Sequence, residues 1–197
     1  MKPSRLFTAI GKLNTLKHRQ RRGWVVRGVK GAESVADHAW RSAVIAHLIA
    51  PKGYDRQKML LMALLHDTSD IYGPHYIPTD YITKENKFSQ ERKSMKRFVQ
   101  LLPGNEGEKW LGLWEEMENQ SSKEAKLVKD AEILDMLFQA LEYQKAGNFK
   151  KDLTEFWARD IKRLTTPPGK KLGLEISRQW PKAAKKRFDA KKYTYHY

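Results

Sequence analysis

The spacing of apolar residues is the feature that most constrains the fold of this chain. In nearly every segment with a regular pattern, apolar residues recur three and four positions apart, and strict alternation of β-branched residues is scarce. The observed spacing places side chains on one face of a helix, whereas alternation would be needed for half-buried strands. The sequence therefore predicts an all-α fold of about six to eight helices.

Capping and breaking residues mark the ends of these helices. Ser34 and Asp37 are spaced as a capping box, and Pro51 and Gly53 follow the end of the same helix. The stretch MLLMALLHD is apolar nearly all round, which predicts a helix buried on most sides. Residues 24–29 are expected to form a short apolar loop or strand-like piece. The predicted helices cover about residues 4–16, 34–50, 55–67, 84–102, 106–118, 123–146 and 153–164.

A run of Thr, Pro and Gly at residues 165–169 is the one segment with the composition of a linker. We therefore expect one domain over residues 1–165 and a basic C-terminal extension over residues 166–197. The extension could contact an anionic partner through its lysines and Phe188, or it could pack as a terminal helix.

The net charge of +15 over 197 residues is concentrated at the two ends of the chain. Residues 1–30 contain nine Lys and Arg and no acidic residue, and residues 165–197 contain nine against Glu175 and Asp189. This distribution suggests an anionic partner, either a phosphorylated small molecule or nucleic acid, of which nucleic acid is the less favoured. The alternative is solvated surface charge that keeps the protein soluble.

Composition also excludes several classes of protein. No stretch approaches the roughly 18 uncharged apolar residues of a membrane span, and the N-terminus lacks a secretory signal pattern. A soluble cytoplasmic protein without membrane contact is therefore expected. Cysteine is absent, which excludes disulfides, zinc-thiolate sites and cysteine nucleophiles. A metal ion could be held only by histidines and carboxylates.

Four ionisable residues interrupt apolar helix faces. His66 and Asp67 end the most apolar helix, Asp130 shares a face with leucines and isoleucine, and His38 lies on an apolar face of its own helix. Each could be a buried residue satisfied by hydrogen bonds or an ion pair. Together, two imidazoles and two carboxylates from three helices can surround one divalent cation, and this mixed donor set suits Mn, Fe, Co, Ni or Zn, with Mg possible.

The order of these residues resembles that in the HD-domain phosphohydrolases. The motifs that carry the resemblance are RRGWVVRGV, ESVADHAWR, ALLHD and KLVKDAEILDMLFQALEYQKAG, and it covers about residues 4–165. They are similar to the small single-domain branch that contains the 5′-deoxynucleotidases. The resemblance implies an HD-domain helical bundle, frequently dimeric, with one divalent metal ion held by His38, His66, Asp67 and Asp130.

The resemblance also implies residues for substrate binding. The family places a tryptophan near the base and sugar, fourteen residues before its first metal-binding histidine, and Trp24 has this spacing. Relatives carry a basic residue beside this tryptophan, but here the neighbour is Gly23. Phosphate contacts are therefore expected from Arg21, Arg22 or Arg27.

Two departures from the family pattern concern the proton-transfer residues. Where relatives carry Glu, this chain has the shorter Asp70, and where they carry Asp, it has His75, with Asp80 as a more distant substitute. Asp70 is expected to orient the attacking water or to shuttle its proton, and His75 could instead protonate the leaving 5′-oxygen. Asp67, Asp70 and His75 are thus the expected catalytic residues.

The leading functional hypothesis is hydrolysis of deoxynucleoside 5′-monophosphates to nucleoside and phosphate by a metal-activated water. A deoxynucleoside triphosphate triphosphohydrolase is the close alternative, favoured by the arginines before the site. A nucleic-acid-binding or regulatory protein with weak turnover is the alternative of another class. The remaining residues near the motifs, Trp40, Trp110 and Trp114, are interpreted as packing residues, and Glu132 and Asp135 as solvent-facing or lying behind the ligands.

Overall fold

A computed structural model of the chain describes residues 3–77 and 80–187. This part of the chain is helical and has no β-strand, only an isolated antiparallel bridge between Gln20 and Ser34. The predicted all-α class is therefore confirmed. The α-helices are α1 (Pro3–His18), α2 (Arg22–Val25), α3 (Val35–Ile49), α4 (Arg56–Leu65), α5 (Lys84–Val99), α6 (Glu106–Glu118), α7 (Lys123–Ala146), α8 (Thr154–Asp160), α9 (Pro167–Gln179) and α10 (Lys182–Arg187). Short 3-10 helices cover Thr68–Ile71 and Ile161–Arg163.

The described helices outnumber the six to eight expected because the prediction had a loop where α2 lies and a linker where α9 begins, and left a packed terminal helix as one of two alternatives where α10 lies. Helix α2 replaces the expected apolar loop, and α9 and α10 lie in the expected linker and extension. Helix α9 begins at Pro167 because proline is tolerated at the first helical position, where no N–H partner is needed. The Thr166 side chain accepts a hydrogen bond from the Gly169 N–H at 3.2 Å and caps the helix.

The start of α3 follows the predicted capping box. The Ser34 hydroxyl accepts a hydrogen bond from the Asp37 N–H at 3.1 Å, and the Asp37 carboxylate accepts one from the Ser34 N–H at 2.9 Å. Because this fixes the first turn of α3, it also fixes the direction of His38, the next residue along the chain.

Helix α7 lies at the centre of the larger of two hydrophobic clusters. Leu127, Leu134 and Leu137 are fully buried, and α3, α4, α6, α8 and α9 all pack against this helix. The smaller cluster joins α1, α5 and α6 around Phe98 and Trp114. The two clusters flank the end of α4, so the residues that follow α4 lie between them.

The C-terminal helices pack on the rest of the molecule. Ile176 and Trp180 are buried in the cluster around α7, and Ala184 of α10 is buried with them. The division into residues 1–165 and 166–197 stays a prediction, and Phe188 lies outside the described residues. Within the described ranges, no helix has both the length and the apolar character needed to span a membrane.

One of the three tryptophans interpreted as packing residues lies at the surface. As expected, Trp114 is buried, and Trp110 is partly buried and packs against the same cluster. Trp40 is instead 64% exposed, so that interpretation was wrong. It lies on the outer face of α3 in line with exposed Val44 and Leu48, and we call these three residues the α3 stripe.

Candidate metal centre and substrate cleft

Three of the four predicted metal ligands lie together in the structure. One ligand atom from each of His38, His66 and Asp67 is within 4.8 Å of the other two. Helix α3 supplies His38, and the end of α4 supplies the other two residues. The imidazole rings of His38 and His66 meet edge to face at 5.0 Å between centroids. The buried apolar face of α4 is what brings His66 into the interior.

His38 is oriented by a buried carboxylate behind it. Its Nδ1 lies 2.5 Å from Oδ2 of Asp135, and Arg41 donates to the other oxygen of the same carboxylate. The opposite ring nitrogen, Nε2, is buried and has no hydrogen-bond partner. Burial and the nearby cation of Arg21 lower the pKa of His38 to about 4. The imidazole is therefore neutral, which is the form that binds a metal.

His66 is arranged in the same way. Its Nδ1 lies 2.7 Å from the Ala63 carbonyl oxygen, which fixes this nitrogen as the donor. Its Nε2 lies 3.2 Å from Oδ2 of Asp67, but without hydrogen-bond geometry, so this buried atom also lacks a partner. Burial opposes a charge on His66, yet Asp67 outweighs burial and raises the pKa of the imidazole to about 9. A metal ion bound at Nε2 would therefore take the place of a proton there.

These three residues fit a divalent cation. Two buried imidazole nitrogens without partners converge with a carboxylate, and a buried polar atom without a partner is costly. The donor set of two nitrogens and one oxygen is one that borderline divalent metals accept.

The structure does not bring Asp130 to this group, and we correct its assignment as a ligand. Its carboxylate accepts hydrogen bonds of 2.6 to 3.3 Å from the N–H and hydroxyl groups of Thr165 and Thr166. Asp130 is buried, as its apolar face predicts, but it faces the start of α9. The threonines, which lie far away in sequence, satisfy the carboxylate that we assigned to the metal.

Glu132 lies on the side of α7 that lines the cleft, although its carboxylate is not among the ligand atoms that lie within 4.8 Å of one another. Two residues along a helix turn the side chain by about 200 degrees, so Glu132 points away from α9. Its carboxylate interacts electrostatically with His66, Asp67 and His38, and pairs with Lys129 Nζ at 2.8 Å. Burial opposes ionisation, but Lys129 and His66 lower the pKa of Glu132 to about 2.

Sequence reasoning did not single out Glu132 as a ligand because α7 is buried on most sides. Both Glu132 and Asp135 were interpreted as solvent-facing or lying behind the ligands. For Asp135 the second alternative is correct, since it is fully buried and orients His38 from behind. A helix with buried residues all round offers no polar face by which to choose among its carboxylates. The signal available in the sequence was that Asp130 and Glu132, two positions apart on the helix, must point to opposite sides, so only one of them can face the metal site.

Asp70 and His75 are brought beside the group. Asp70 is buried in the 3-10 helix after Asp67, and its Oδ2 lies 2.5 Å from Nδ1 of His75. Burial, together with repulsion from Asp67, raises the pKa of Asp70, although the hydrogen bond to His75 opposes this. Asp80 lies farther along the loop, where it pairs with Arg22.

A cleft of about 930 Å³ opens beside the group. Among the residues that line it are Glu132, His75, Arg21, Trp24 and Phe156. Several of the predicted site residues line it, and it could admit a ligand the size of a nucleotide.

Of the three candidate arginines, only Arg21 reaches the cleft lining. It is held by Glu33 at 3.3 Å, and its buried Nε has no hydrogen-bond partner. Arg22 is half-exposed and pairs with Asp80 at 2.5 Å, and Arg27 pairs with Glu155. Neither of the last two lines the cleft.

Trp24 lies at the floor of the cleft, within the core. It is 1% exposed, donates from its indole N–H to Glu33 at 2.9 Å, and packs against Tyr143 and Phe156. The structure leaves little of its ring surface open to stack on a base or sugar.

The fold and this site define the class of protein. A family model described as "HD domain" matches residues 13–168, so the chain belongs to the HD domain family. It is 39% identical over 181 residues to the 5′-deoxynucleotidase HDDC2 of Dictyostelium discoideum, covering 86% of this chain and 94% of that protein. The mouse protein of the same name is 37% identical over 152 residues, and the match covers 77% of this chain and 76% of the mouse protein. A solved structure of a conserved hypothetical protein from Pyrococcus furiosus superposes with a TM-score of 0.73 at 31% identity, covering 87% of this chain and 99% of that one.

Proposed function

We propose that this protein is a metal-dependent phosphohydrolase that converts deoxynucleoside 5′-monophosphates to nucleoside and phosphate. The observation that carries the proposal is the convergence of Asp67 with two buried imidazole nitrogens that have no hydrogen-bond partner, next to a cleft lined by Arg21 and His75. Curated relatives that are 37% and 39% identical to the chain over the aligned residues are named 5′-deoxynucleotidases.

In this proposal His38, His66 and Asp67 hold one divalent cation, with Glu132 as the fourth protein ligand. Mn, Co, Fe, Ni, Zn and Mg remain candidates for the ion. When bound, such an ion lowers the pKa of a water molecule and neutralises charge on phosphoryl oxygens.

The protein residues bind the phosphate and move protons. The guanidinium of Arg21 supplies N–H donors to the phosphate from the side of the cleft, with Glu33 fixing its position. The Asp70 carboxylate orients the attacking water. His75, whose Nδ1 is held by Asp70, presents its other nitrogen to protonate the leaving 5′-oxygen.

Charge in the cleft supports a monophosphate rather than a triphosphate. The basic residues that line it are nearly balanced by acidic ones, and several are already paired, such as Lys87 with Glu91 and Lys129 with Glu132. A triphosphate would need several additional unpaired cations to neutralise it.

We also propose that the protein acts in the cytoplasm as a homodimer, and that the α3 stripe belongs to the dimer interface. Trp40 and Leu48 are 64% and 73% exposed, and large exposed apolar residues in one row mark association surfaces. Light scattering should give a dimer for wild type and a monomer for Trp40→Lys. A monomeric wild-type protein would contradict the proposed dimer but not the proposed hydrolysis.

The functional test is phosphate release from a panel of ribo- and deoxynucleoside mono-, di- and triphosphates with Mn, Co or Mg. Wild type is expected to release phosphate from deoxynucleoside monophosphates, and Asp67→Ala to release none above background. Tripolyphosphate as the product would overturn the choice of substrate. Absence of any product, with metal demonstrably bound, would overturn the proposed function.

A further inference from the structure

We propose that Glu33 is a positioning residue that holds the phosphate-binding Arg21 and the metal ligand His38 in one hydrogen-bonded network. The inference rests on the proposed function, because it takes the bound ion and the phosphate contact of Arg21 as given. Glu33 lies between α2 and α3, directly before the capping residue Ser34, and its side chain is only 8% exposed. It thus separates in sequence the arginine that would bind phosphate from the helix that carries the histidine.

One oxygen of the Glu33 carboxylate fixes the residues at the floor of the cleft. Oε1 lies 3.3 Å from Nη1 of Arg21 and accepts a hydrogen bond of 2.9 Å from the indole N–H of Trp24. The backbone joins the same two segments, because the Arg21 N–H donates to the Glu33 carbonyl oxygen at 3.0 Å. The Arg21 guanidinium is therefore held in one orientation before a phosphate arrives, which lowers the entropic cost of binding it.

The other oxygen of the carboxylate is linked to the metal ligand. Oε2 lies 3.6 Å from Nη2 of Arg41, and the same nitrogen donates to the Asp135 carbonyl oxygen at 3.2 Å. Nε of Arg41 donates to the Asp135 carboxylate, whose second oxygen lies 2.5 Å from Nδ1 of His38. Glu33 is thus connected to His38 through two intervening side chains, and such partners behind a ligand set its orientation.

The charges around Arg21 explain why this position needs a carboxylate. Among the acidic residues, Glu33 attracts the Arg21 guanidinium most strongly. Asp67 and Glu132, which are proposed to bind the ion, attract the same guanidinium. Loss of the Glu33 charge would leave Arg21 drawn towards these two carboxylates, where it would compete with the ion. Glu33 therefore keeps the arginine available for phosphate and the carboxylates available for metal.

The competing explanation is that Glu33 only stabilises the fold, by neutralising two partly buried arginines and accepting the Trp24 N–H. A purely structural residue would lower the free energy of unfolding when substituted, but the folded variant would bind metal and phosphate normally. A positioning residue changes both affinities in folded protein. Its effects also fail to add to those of the arginines through which it acts.

The experiment uses calorimetric titration of full-length protein with two probes, Mn²⁺ added to metal-free protein and inorganic phosphate added to Mn²⁺-saturated protein. We expect Glu33→Gln to weaken each affinity by about tenfold. Arg41→Lys should weaken only Mn²⁺ binding, and Arg21→Lys only phosphate binding. Glu155→Gln is the matched control, because this buried carboxylate pairs with Arg27 outside the cleft lining, and it should change neither affinity.

Two double variants test whether Glu33 acts through the arginines. Glu33→Gln with Arg41→Lys should bind Mn²⁺ no more weakly than the weaker of its two single variants. Glu33→Gln with Arg21→Lys should behave in the same way towards phosphate. Single effects that multiply in both double variants would show that Glu33 acts independently of the arginines, and would overturn the proposal.

Unchanged affinities in folded Glu33→Gln would also overturn the proposal. If Glu33→Gln does not fold, Glu33→Asp keeps the charge on a side chain one methylene shorter and should show both effects in smaller size, and normal affinities in that variant would be equally decisive. A wild-type protein that releases phosphate from no nucleotide would overturn the proposed function, whereas the role of Glu33 is decided by the two affinities without any measurement of activity.

Discussion

Two carboxylates that are two positions apart on α7 have different roles. Asp130 ties the segment before α9 to α7, whereas Glu132 interacts electrostatically with the two imidazoles. Both are acidic residues in an apolar helix, so residue type does not distinguish them. What distinguishes them is the set of groups that each meets, and those groups come from other parts of the chain.

Substitution of each carboxylate by its amide should separate the two roles. Glu132→Gln should weaken Mn²⁺ binding by about 10- to 100-fold, because it removes a charged ligand. Asp130→Asn should leave Mn²⁺ affinity unchanged but lower the free energy of unfolding by about 1.5–3 kcal/mol, because charge-assisted bonds to Thr165 and Thr166 are lost. Calorimetric titration and thermal denaturation of both variants test this. The reverse pattern would restore Asp130 as the ligand.

Arg21 and Arg22 form a second matched pair of neighbours. Arg21→Lys keeps a cation near Glu33 but loses the planar fork, so KM for a deoxynucleoside monophosphate should rise about tenfold, with a smaller change in kcat. Arg22→Lys, at a half-exposed residue outside the cleft, should change KM less than about twofold. Steady-state kinetics of the two variants test the assignment, and a larger effect at Arg22 would move the phosphate contact there.

At the scale of elements, the close approach of α9 to α7 depends on a glycine. A Cβ at Gly169 would lie 2.8 Å from Cγ of Asp130, and the carboxylate cannot move away without losing its bonds to the threonines. The glycine therefore permits the contact that anchors α9.

Gly169→Ala should consequently lower the free energy of unfolding by about 1–3 kcal/mol, the usual range for overpacking. Gly112→Ala is the matched control, since a Cβ there meets nothing within 4 Å on an exposed face of α6. It should be stabilising by about 0.5–1 kcal/mol, because alanine is the better helix former. Denaturant unfolding of both variants gives the sign of each change in the free energy of unfolding. Equal changes for the two variants would contradict the prediction, because they would mean that α9 shifts to accommodate the added methyl group.

Helix α5 carries a carboxyl group whose ionisation opposes folding. Glu91 lies among Lys87, Glu118 and Asp67, and burial, with the two acids, raises its pKa to about 7 despite the ion pair with Lys87 at 2.8 Å. The folded state thus holds this proton more tightly than the unfolded state. Stability contributed by Glu91 is present at low pH and is lost as the pH rises from about 5 to 7.

Glu91→Gln should therefore gain stability relative to wild type by up to about 2 kcal/mol between pH 5 and pH 8. Glu85→Gln, an exposed residue of the same helix, is the control and should show no such trend. The comparison is made by thermal denaturation at both pH values. A gain that does not change with pH would show that Glu91 is ionised throughout.

On the scale of the whole molecule, the sequence predicted helices better than it predicted contacts between them. The bounds of α6 and α7 and the capping box of α3 follow from local patterns, which the sequence contains in full. The docking of α9 was missed because Pro167 and Gly169 are typical of linkers, whereas here they begin a helix and permit close packing. Such contacts depend on residues that are distant in sequence.

The site residues were likewise predictable only where a local pattern marks them. His38, His66 and Asp67 were brought together as predicted, because each interrupts an apolar helix face whose burial is itself a local signal. Asp130 and Glu132 could not be ranked without knowing which neighbour each face of α7 would meet. The choice among Arg21, Arg22 and Arg27 was likewise open until α2 and its surroundings were placed.

The central claim is that a divalent ion bound by His38, His66, Asp67 and Glu132 is required for hydrolysis. The most direct measurement is phosphate release from deoxyadenosine 5′-monophosphate by protein freed of metal with a chelator, followed by stepwise addition of Mn²⁺ while bound Mn is quantified. We predict no release above background without metal, and recovery of phosphate release that rises with the amount of bound Mn. Undiminished hydrolysis by protein shown to be free of metal would contradict the account.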